Sequence, residues 1–380
     1  MAEPSIPDPD STKQPGDRGA RVPPVRETVA RPVTDAERPA LARPAKGRRR
    51  LPPRLGRGIA WLAWVGVLGG LVLSRTEELD CRVAASASAG NALSICQREY
   101  QRTRRPATGV WIADTLQENG ELESAEPLAR ELLATSKRAD AFAILGSIAS
   151  KRGHHDDAIS TFEMARALHR IDHEPLDVAR DSRSLAEAFA RTNQYAPALR
   201  ALDDCLTASH EGTGPQFREI ELYCHLNAQK VLTQIGYLDL AVKELEAAQP
   251  LATSERERMW LEKQRGDLAQ ERVRDQPHAQ HDEEAIVAFE QALAHNAIAK
   301  VPDETLSLEL DLAYSSAEAG HIDAANRHLD EARRLDSKHD ADVEADVTRI
   351  AGRIAYHRGD HASAASLNEL AYQMIAADTA

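Results

Sequence analysis

The sequence predicts an all-α architecture, an α solenoid of about seven stacked helix-turn-helix units. Three observations carry that expectation. Apolar residues recur at spacings of three and four through Ala139–Leu168 and beyond, the period of one helix face. Ala125, Ala158, Ala198, Ala241, Ala285, Ala325 and Ala364 each open the same local pattern, at separations of 33, 40, 43, 44, 40 and 39 residues. Five residues before most of these alanines stands a turn-former: Gly120, Gly153, Asn193, Gly236, Gly320 or Gly359. A helix pair of this size cannot bury its apolar face alone, so such units must stack on one another.

Taken in order, residues 1–57 hold 11 of the 19 prolines, interleaved with charge, and too few apolar residues to offset the entropy of ordering. They read as a disordered Pro/Arg-rich tail; Pro23-Pro24 and Pro52-Pro53 would also suit a Pro-rich ligand of a partner domain. The tail carries 13 Lys and Arg against 7 Asp and Glu, so the overall charge of −13 leaves −19 on the remainder. An acidic remainder argues against nucleic-acid binding, which needs a basic face.

Gly58–Ser74 follows, 17 residues without a charge. At about 1.5 Å per residue it spans roughly 25 Å, enough for a short transmembrane helix. Trp61 and Trp64 suit the interface near its start, and Arg57 and Arg75 can snorkel at its ends. Lys46, Arg48, Arg49, Arg50, Arg54 and Arg57 crowd the N-terminal flank, whereas Glu77, Glu78 and Asp80 follow the other. The positive-inside rule then makes this a single-pass protein of the bilayer, its tail cytoplasmic and its repeats extracytoplasmic, periplasmic in a Gram-negative cell. Gly66 and Gly70 form a small-xxx-small pair through which two such helices could meet as a homodimer. Residues 75–105 form a linker and, over Asn91–Tyr100, a helix that caps the array.

Residues 106–380 carry the repeats. Four residues after the register alanine comes a mostly large residue: Phe162, Leu202, Leu245, Phe289 or Leu329. Seven after it the residue is small: Ala165, Cys205, Ala248, Ala292, Ala332 or Ala371. In the preceding helix Ala113, Gly146, Ala186, Ala313 and Gly352 stand where the two helices must cross. This pattern resembles the tetratricopeptide repeat (TPR), matched most fully by Leu145-Gly146, Gly153, Ala158, Phe162 and Ala165. Most periods exceed the nominal 34 residues, and the proline that usually ends a repeat survives only near Pro250. The fifth unit departs furthest. Its helix Met259–Val273 is followed by a polar run with Pro277, read as a loop insertion of about seven residues before a helix opening near Glu283. Glu211–Pro215 reads as another loop, and Pro127 falls in the first turn of its helix, where proline is tolerated. Ala365, Leu367, Leu370, Ala371 and Ile375 would leave the last helix with an apolar edge.

No phosphate loop, dinucleotide fingerprint, nucleophile elbow or zincin motif is present, so neither an enzyme nor a cofactor is expected. His154-His155-Asp156-Asp157 sits at a turn, where capping and the helix dipole account for the aspartates. His278, His281 and Asp282 fall in the polar run, and no metal site is assigned to either group. Cys205 occupies a core position and reads as a buried inert thiol, while Cys81 and Cys96 could pair outside the cytoplasm.

The TPR resemblance implies a concave groove lined by the first helices, which holds a protein or peptide. Carried onto this chain, the inward positions are Lys151, Arg183, Glu187, Arg191, Tyr223, Lys230, Tyr314 and Arg353. Arg183, Arg191 and Lys230 are cations on an acidic domain and point to an acidic peptide or chain terminus. The expectation is a membrane-anchored scaffold that binds without catalysis. The alternative is the regulatory half of a signalling system, because a membrane helix beside a TPR array also resembles regions associated with CHAT proteases and bacterial Ser/Thr kinases, whose catalytic part would lie elsewhere.

Overall fold

The computed structural model describes residue 81 and residues 89–275, 279–301, 304–336 and 340–378. The expected tail (1–57), the expected membrane helix (58–74), Pro277 and His278 lie outside the described residues. Among the described residues there are fifteen helices and no strand, and no helix is long and apolar enough to cross a membrane.

Helix α1 (Ala89–Thr103) precedes seven pairs. These are α2 (Pro106–Glu118) with α3 (Leu122–Leu132), α4 (Arg138–Lys151) with α5 (His155–Ile171), and α6 (Pro175–Arg191) with α7 (Tyr195–Ser209). Next come α8 (Pro215–Gln234) with α9 (Leu238–Ala248) and α10 (Glu255–Asp275) with α11 (Ala279–Ala299). The last are α12 (Glu304–Glu318) with α13 (Ile322–Leu335) and α14 (Ala341–His357) with α15 (His361–Asp378). Consecutive helices pack on one another, and the even-numbered helices also touch the even ones before and after, forming a continuous wall. Between α10 and α12 side chains make that contact, Lys263 Nζ donating to Glu304 and to Ser307 at 2.8 Å each.

The register of the sequence is the register of the core. All seven alanines are at most 3% exposed. Opposite each lies the crossing residue of the preceding helix, and in four of the pairs its size is matched to the residue four beyond the alanine. A Cβ on Gly146 would lie 2.8 Å from the Phe162 ring, and one on Gly266 would lie 2.5 Å from Phe289. Where the crossing residue is alanine, at Ala186 and Ala313, the corresponding residue is the smaller Leu202 or Leu329. Gly266 thus fills the crossing position of the fifth pair and Gln229, 1% exposed, that of the fourth. The turns follow as simply: the five turn glycines have φ between 76° and 82° and Asn193 has φ 57°, a region open to glycine and least costly for asparagine among other residues. In each turn an N–H reaches back five residues, as His154 N–H does to the Ala149 carbonyl at 2.9 Å, closing a Schellman motif.

Four expectations need correcting. The expected loop is largely helix where it is described: α10 runs to Asp275 and α11 starts at Ala279, so Arg274, Asp275 and Ala279–Asp282 belong to the helices and lengthen the pair. A polar run is as good a solvated helix face as a loop. Pro127 lies in the second turn of α3, not the first, on an exposed face. Cys205 is not a free thiol; it is bonded to Cys224, tying α7 to α8, and both are fully buried. Asp156 and Asp157 sit in the first turn of α5, but the N-cap is His154, with no side-chain capping bond. Cys81 and Cys96 are also disulfide-bonded, fastening the segment before α1 to that helix. On α15, Ala371 is buried, while Leu370 and Tyr372 are 48% and 70% exposed.

Size matching predicts a specific epistasis. Gly146→Ala gains helix propensity but overpacks against Phe162, and should lower the urea midpoint by an amount worth about 1–2 kcal/mol. Adding Phe162→Leu recreates the Ala/Leu combination of the third and sixth pairs, so the double variant should be more stable than the sum of the two single effects. Strict additivity in urea titrations followed by circular dichroism would refute the matching.

Candidate functional site

The crossing geometry also builds the wall. The residue after each crossing residue lies one position, about 100° around the helix, from the buried face. In the successive even helices that position holds Asp114, Ser147, Glu187, Lys230, Asp267, Tyr314 and Arg353. Four of the expected groove residues belong to this stripe.

The eight expected residues separate into three places. Lys151 closes α4 and its Nζ donates to the Gln117 carbonyl at 2.6 Å, tying down the end of α2. Arg183, Glu187, Arg191, Tyr223 and Lys230 gather on α6 and α8. The Arg183 guanidinium lies 6.0 Å from the centre of the Tyr223 ring, and its Nε is buried without a hydrogen-bond partner. Glu187, Arg191 and Lys230 line one cavity of about 150 Å³, floored by Ala186, Leu202 and Val231. Arg191 approaches Glu187 only at 3.8 Å, and both are exposed. Lys230 has no ion-pair partner within 4 Å among the described residues. Tyr314 and Arg353 stand apart on α12 and α14, Arg353 pairing with Glu318 and lying, with Arg349, over the Tyr314 ring at 5.9 and 5.5 Å.

The structure adds carboxylates that the sequence reading left out. Beyond the cationic patch, Asp311 lines a cavity of about 150 Å³ with Tyr314, Asp346 and Arg349. Burial pushes its carboxyl up to about 7; the Asp267 carboxylate adds to the rise and Lys263 opposes it. Asp267 is itself pushed up by burial to about 6, opposed by Lys263 and Lys230. On the other side of the patch, a cavity of about 200 Å³ between α2, α4 and α6 is lined by Asp114, Asp140, Asp177 and Asp181, with Arg180 and the buried His169. Burial raises Asp181 to about 6. For His169, burial works against protonation, but the hydrogen bond and charge of Asp181 outweigh it and its pKa is raised. Asp114 and Asp267 share the stripe position of Glu187 and Lys230, which is the signal that could have found them. His169 and Asp181, 12 residues apart across a turn, leave no such signal.

A further cavity of about 500 Å³ lies between α9, α10 and α11, with Leu245, Leu268 and Val287 in its walls and Arg265 and Arg272 among them. The extra turns of the fifth pair extend it through Arg272, Glu283 and Glu284.

Solved structures resemble this chain in fold. The Rap protein complexed with competence and sporulation factor shares 12% identity, with 79% of this chain and 87% of that one covered and a TM-score of 0.56. Aspartyl phosphate phosphatase F from Bacillus subtilis shares 12%, covering 79% and 92%, with a TM-score of 0.52. A chain of the APC/C hetero-tetramer Cut9–Hcn1 shares 16% with a TM-score of 0.51; 74% of this chain is covered, but it spans only 52% of that one. No family model matches the sequence, and no curated protein does. The chain has the tetratricopeptide-repeat fold.

The buried carboxylates set a pH dependence. A carboxyl whose pKa is higher in the folded than in the unfolded chain stabilises the fold below the unfolded value of about 4, and that contribution is lost as pH rises through the folded value. For Asp311 the window therefore runs from about pH 4 to about pH 7. Asp311→Asn should match the wild type near pH 4 and exceed it at pH 8 by something on the order of 1 kcal/mol, the full shift being discounted for partial exposure. Urea midpoints at the two pH values check this; a difference that does not change with pH contradicts it.

Proposed function

We propose that this protein is a membrane-anchored scaffold that captures an acidic peptide or chain terminus on the wall formed by α6 and α8, without chemistry of its own. The observation that carries the reading is the cationic patch of Arg183, Arg191 and Lys230. One of its donors is buried and unpaired, one cation lacks an ion pair among the described residues, and the third has only a long contact. A buried donor without an acceptor costs stability, and a carboxylate arriving there would recover it through a charge-assisted bond. The aromatic face of Tyr223 and the apolar floor of the adjoining cavity would take side chains of the same ligand. The Rap structure, similar in fold, is of a complex with competence and sporulation factor, which supports ligand binding as the role of this array.

The anchor is the apolar segment Gly58–Ser74 with its basic N-terminal flank. Two disulfides, Cys81–Cys96 and Cys205–Cys224, suit an oxidising compartment and so an extracytoplasmic array. Held near the bilayer, the wall would raise the effective concentration of what it binds.

Both parts are testable. Fluorescence anisotropy of the full chain in detergent micelles should show binding of Asp/Glu-rich peptides, weakened by salt, and little of Lys-rich ones. Replacing Arg183, Arg191 and Lys230 together by Glu should weaken it about tenfold or more; equal binding of acidic and basic peptides, or an unchanged triple variant, removes the assignment. Separately, the chain should stay with the membrane pellet after carbonate extraction, and its release would remove the anchor.

A further inference from the structure

The turn that joins α5 to α6 gathers a second set of polar side chains, outside the cationic patch. Its backbone is tightly held: Glu174 N–H donates to the His169 carbonyl at 3.0 Å, and Asp177 N–H to the Glu174 carbonyl at 3.1 Å. Glu174 is the N-cap of α6 and Asp177 lies in its first turn, so both face back toward the end of α5. There His169 is 2% exposed. Its Nδ1 donates to Asp181 Oδ2 at 2.7 Å. Its Nε2 is buried with no hydrogen-bond partner, and Glu174 Oε2 stands 3.7 Å away, too far to serve. One donor atom from each of His169, Glu174 and Asp177 falls within a common span of 4.8 Å.

We propose that His169 Nε2, Glu174 and Asp177 bind a divalent first-row metal ion of the Zn(II) class, with Asp181 as a positioning residue. Because Asp181 accepts from Nδ1–H, the imidazole is held in the tautomer that turns its Nε2 lone pair toward the two carboxylates. A carboxylate behind the far nitrogen is how metal-bound histidines are usually oriented. An unpartnered buried ring nitrogen is costly to keep, and an ion is what the two neighbouring carboxylates equip the place to hold. One imidazole and two carboxylates favour Zn(II), Mn(II) or Fe(II) over thiolate-seeking ions. Coordination at about 2.0–2.2 Å requires the donor atoms to close to roughly 3.5 Å. Rotation of Glu174 and Asp177 supplies that closure, since their side chains are 40% and 33% exposed. Asp177 also accepts from Arg180 Nη1 at 3.0 Å; that arginine is 52% exposed and can swing away. Three protein ligands leave one position for water, next to the cavity lined by Asp140, Ser147 and Asp181.

The test is titration of the full chain in detergent micelles, stripped with chelator, with Zn(II) by calorimetry and Co(II) by visible absorption. The chain has 14 histidines, so weak binding elsewhere is expected and the variants decide. The expectation is one strong site per chain, with Co(II) absorption of a low-coordinate, nitrogen- and oxygen-bound ion. Glu174→Gln with Asp177→Asn, both at partly exposed turn positions, should abolish the site and the Co(II) bands. Asp181→Asn should weaken it about 10–100-fold. His154→Ala with His155→Ala, at the previous turn, should leave it unchanged. Loss in the His154/His155 variant, persistence in the Glu174/Asp177 variant, or no site tighter than about 1 mM would each overturn the proposal, the last leaving a buried His–Asp ion pair.

Discussion

The structure depends on how closely the two helices of a pair can cross. Side-chain volume at two positions sets that distance: the crossing residue, and the residue four beyond the register alanine. Gly146 with Phe162 and Gly266 with Phe289 place all the volume on one helix; Ala186 with Leu202 and Ala313 with Leu329 share it. Glycine inside a helix costs up to about 1 kcal/mol relative to alanine. Its use opposite phenylalanine shows that close approach outweighs propensity there. With the crossing fixed, the left-handed turn that joins the two helices of a pair can be short.

The same constraint organises the surface. Once the crossing residue is buried, its successor falls on the wall, so one register specifies both core and stripe. Read along the chain, that stripe and its neighbours change sign twice. Carboxylates of α2, α4 and the start of α6 come first, then the cations of α6 and α8, then Asp267, Asp311 and Asp346 of α10, α12 and α14. An acidic ligand would meet repulsion on either side of the patch, which confines it to a short segment of the wall. Repulsion of this kind sets register and rejects wrong partners more than it adds affinity. Burial is the main cause that raises the carboxyl groups of Asp267 and Asp311, and at Asp311 the Asp267 carboxylate adds to the rise.

Most of the helical scaffold was legible in the sequence because it rests on local periodicity plus small residues at fixed offsets. The seven alanines, the turn residues and the helix before the first pair needed nothing further. What was not legible depends on distances between elements. Cys205 was correctly placed in the core, but only the packing of α7 against α8 brings Cys224 to it. The polar run after Val273 could not be told from a loop, because solvated helix and loop have similar composition when both faces are wet. Within the site, residues on the stripe could be found by offset, and five of the eight expected residues do gather on α6 and α8. Their pairing could not be found that way: Lys151 is consumed by a helix end and Arg353 by Glu318 and Tyr314. His169 and Asp181 come from different helices and match no spacing rule.

The disulfide at the centre of the array follows from this division of labour. Within a pair, volume matching fixes the geometry. Between pairs the spacing is less uniform, since the period itself varies from 33 to 44 residues. Cys205–Cys224 lies at such a junction, between the third pair and the fourth, among Val178, Ala179, Ala208 and Ile220. Tyr223 directly precedes Cys224, and its ring meets Arg183 from the neighbouring even helix. The covalent link therefore holds α8 where the two halves of the cationic patch face each other. A patch made of long, flexible side chains loses much of its binding energy to ordering them. Fixing the backbone beneath them removes the part of that cost that comes from motion between repeats, which places the bond where a ligand would gain most from it.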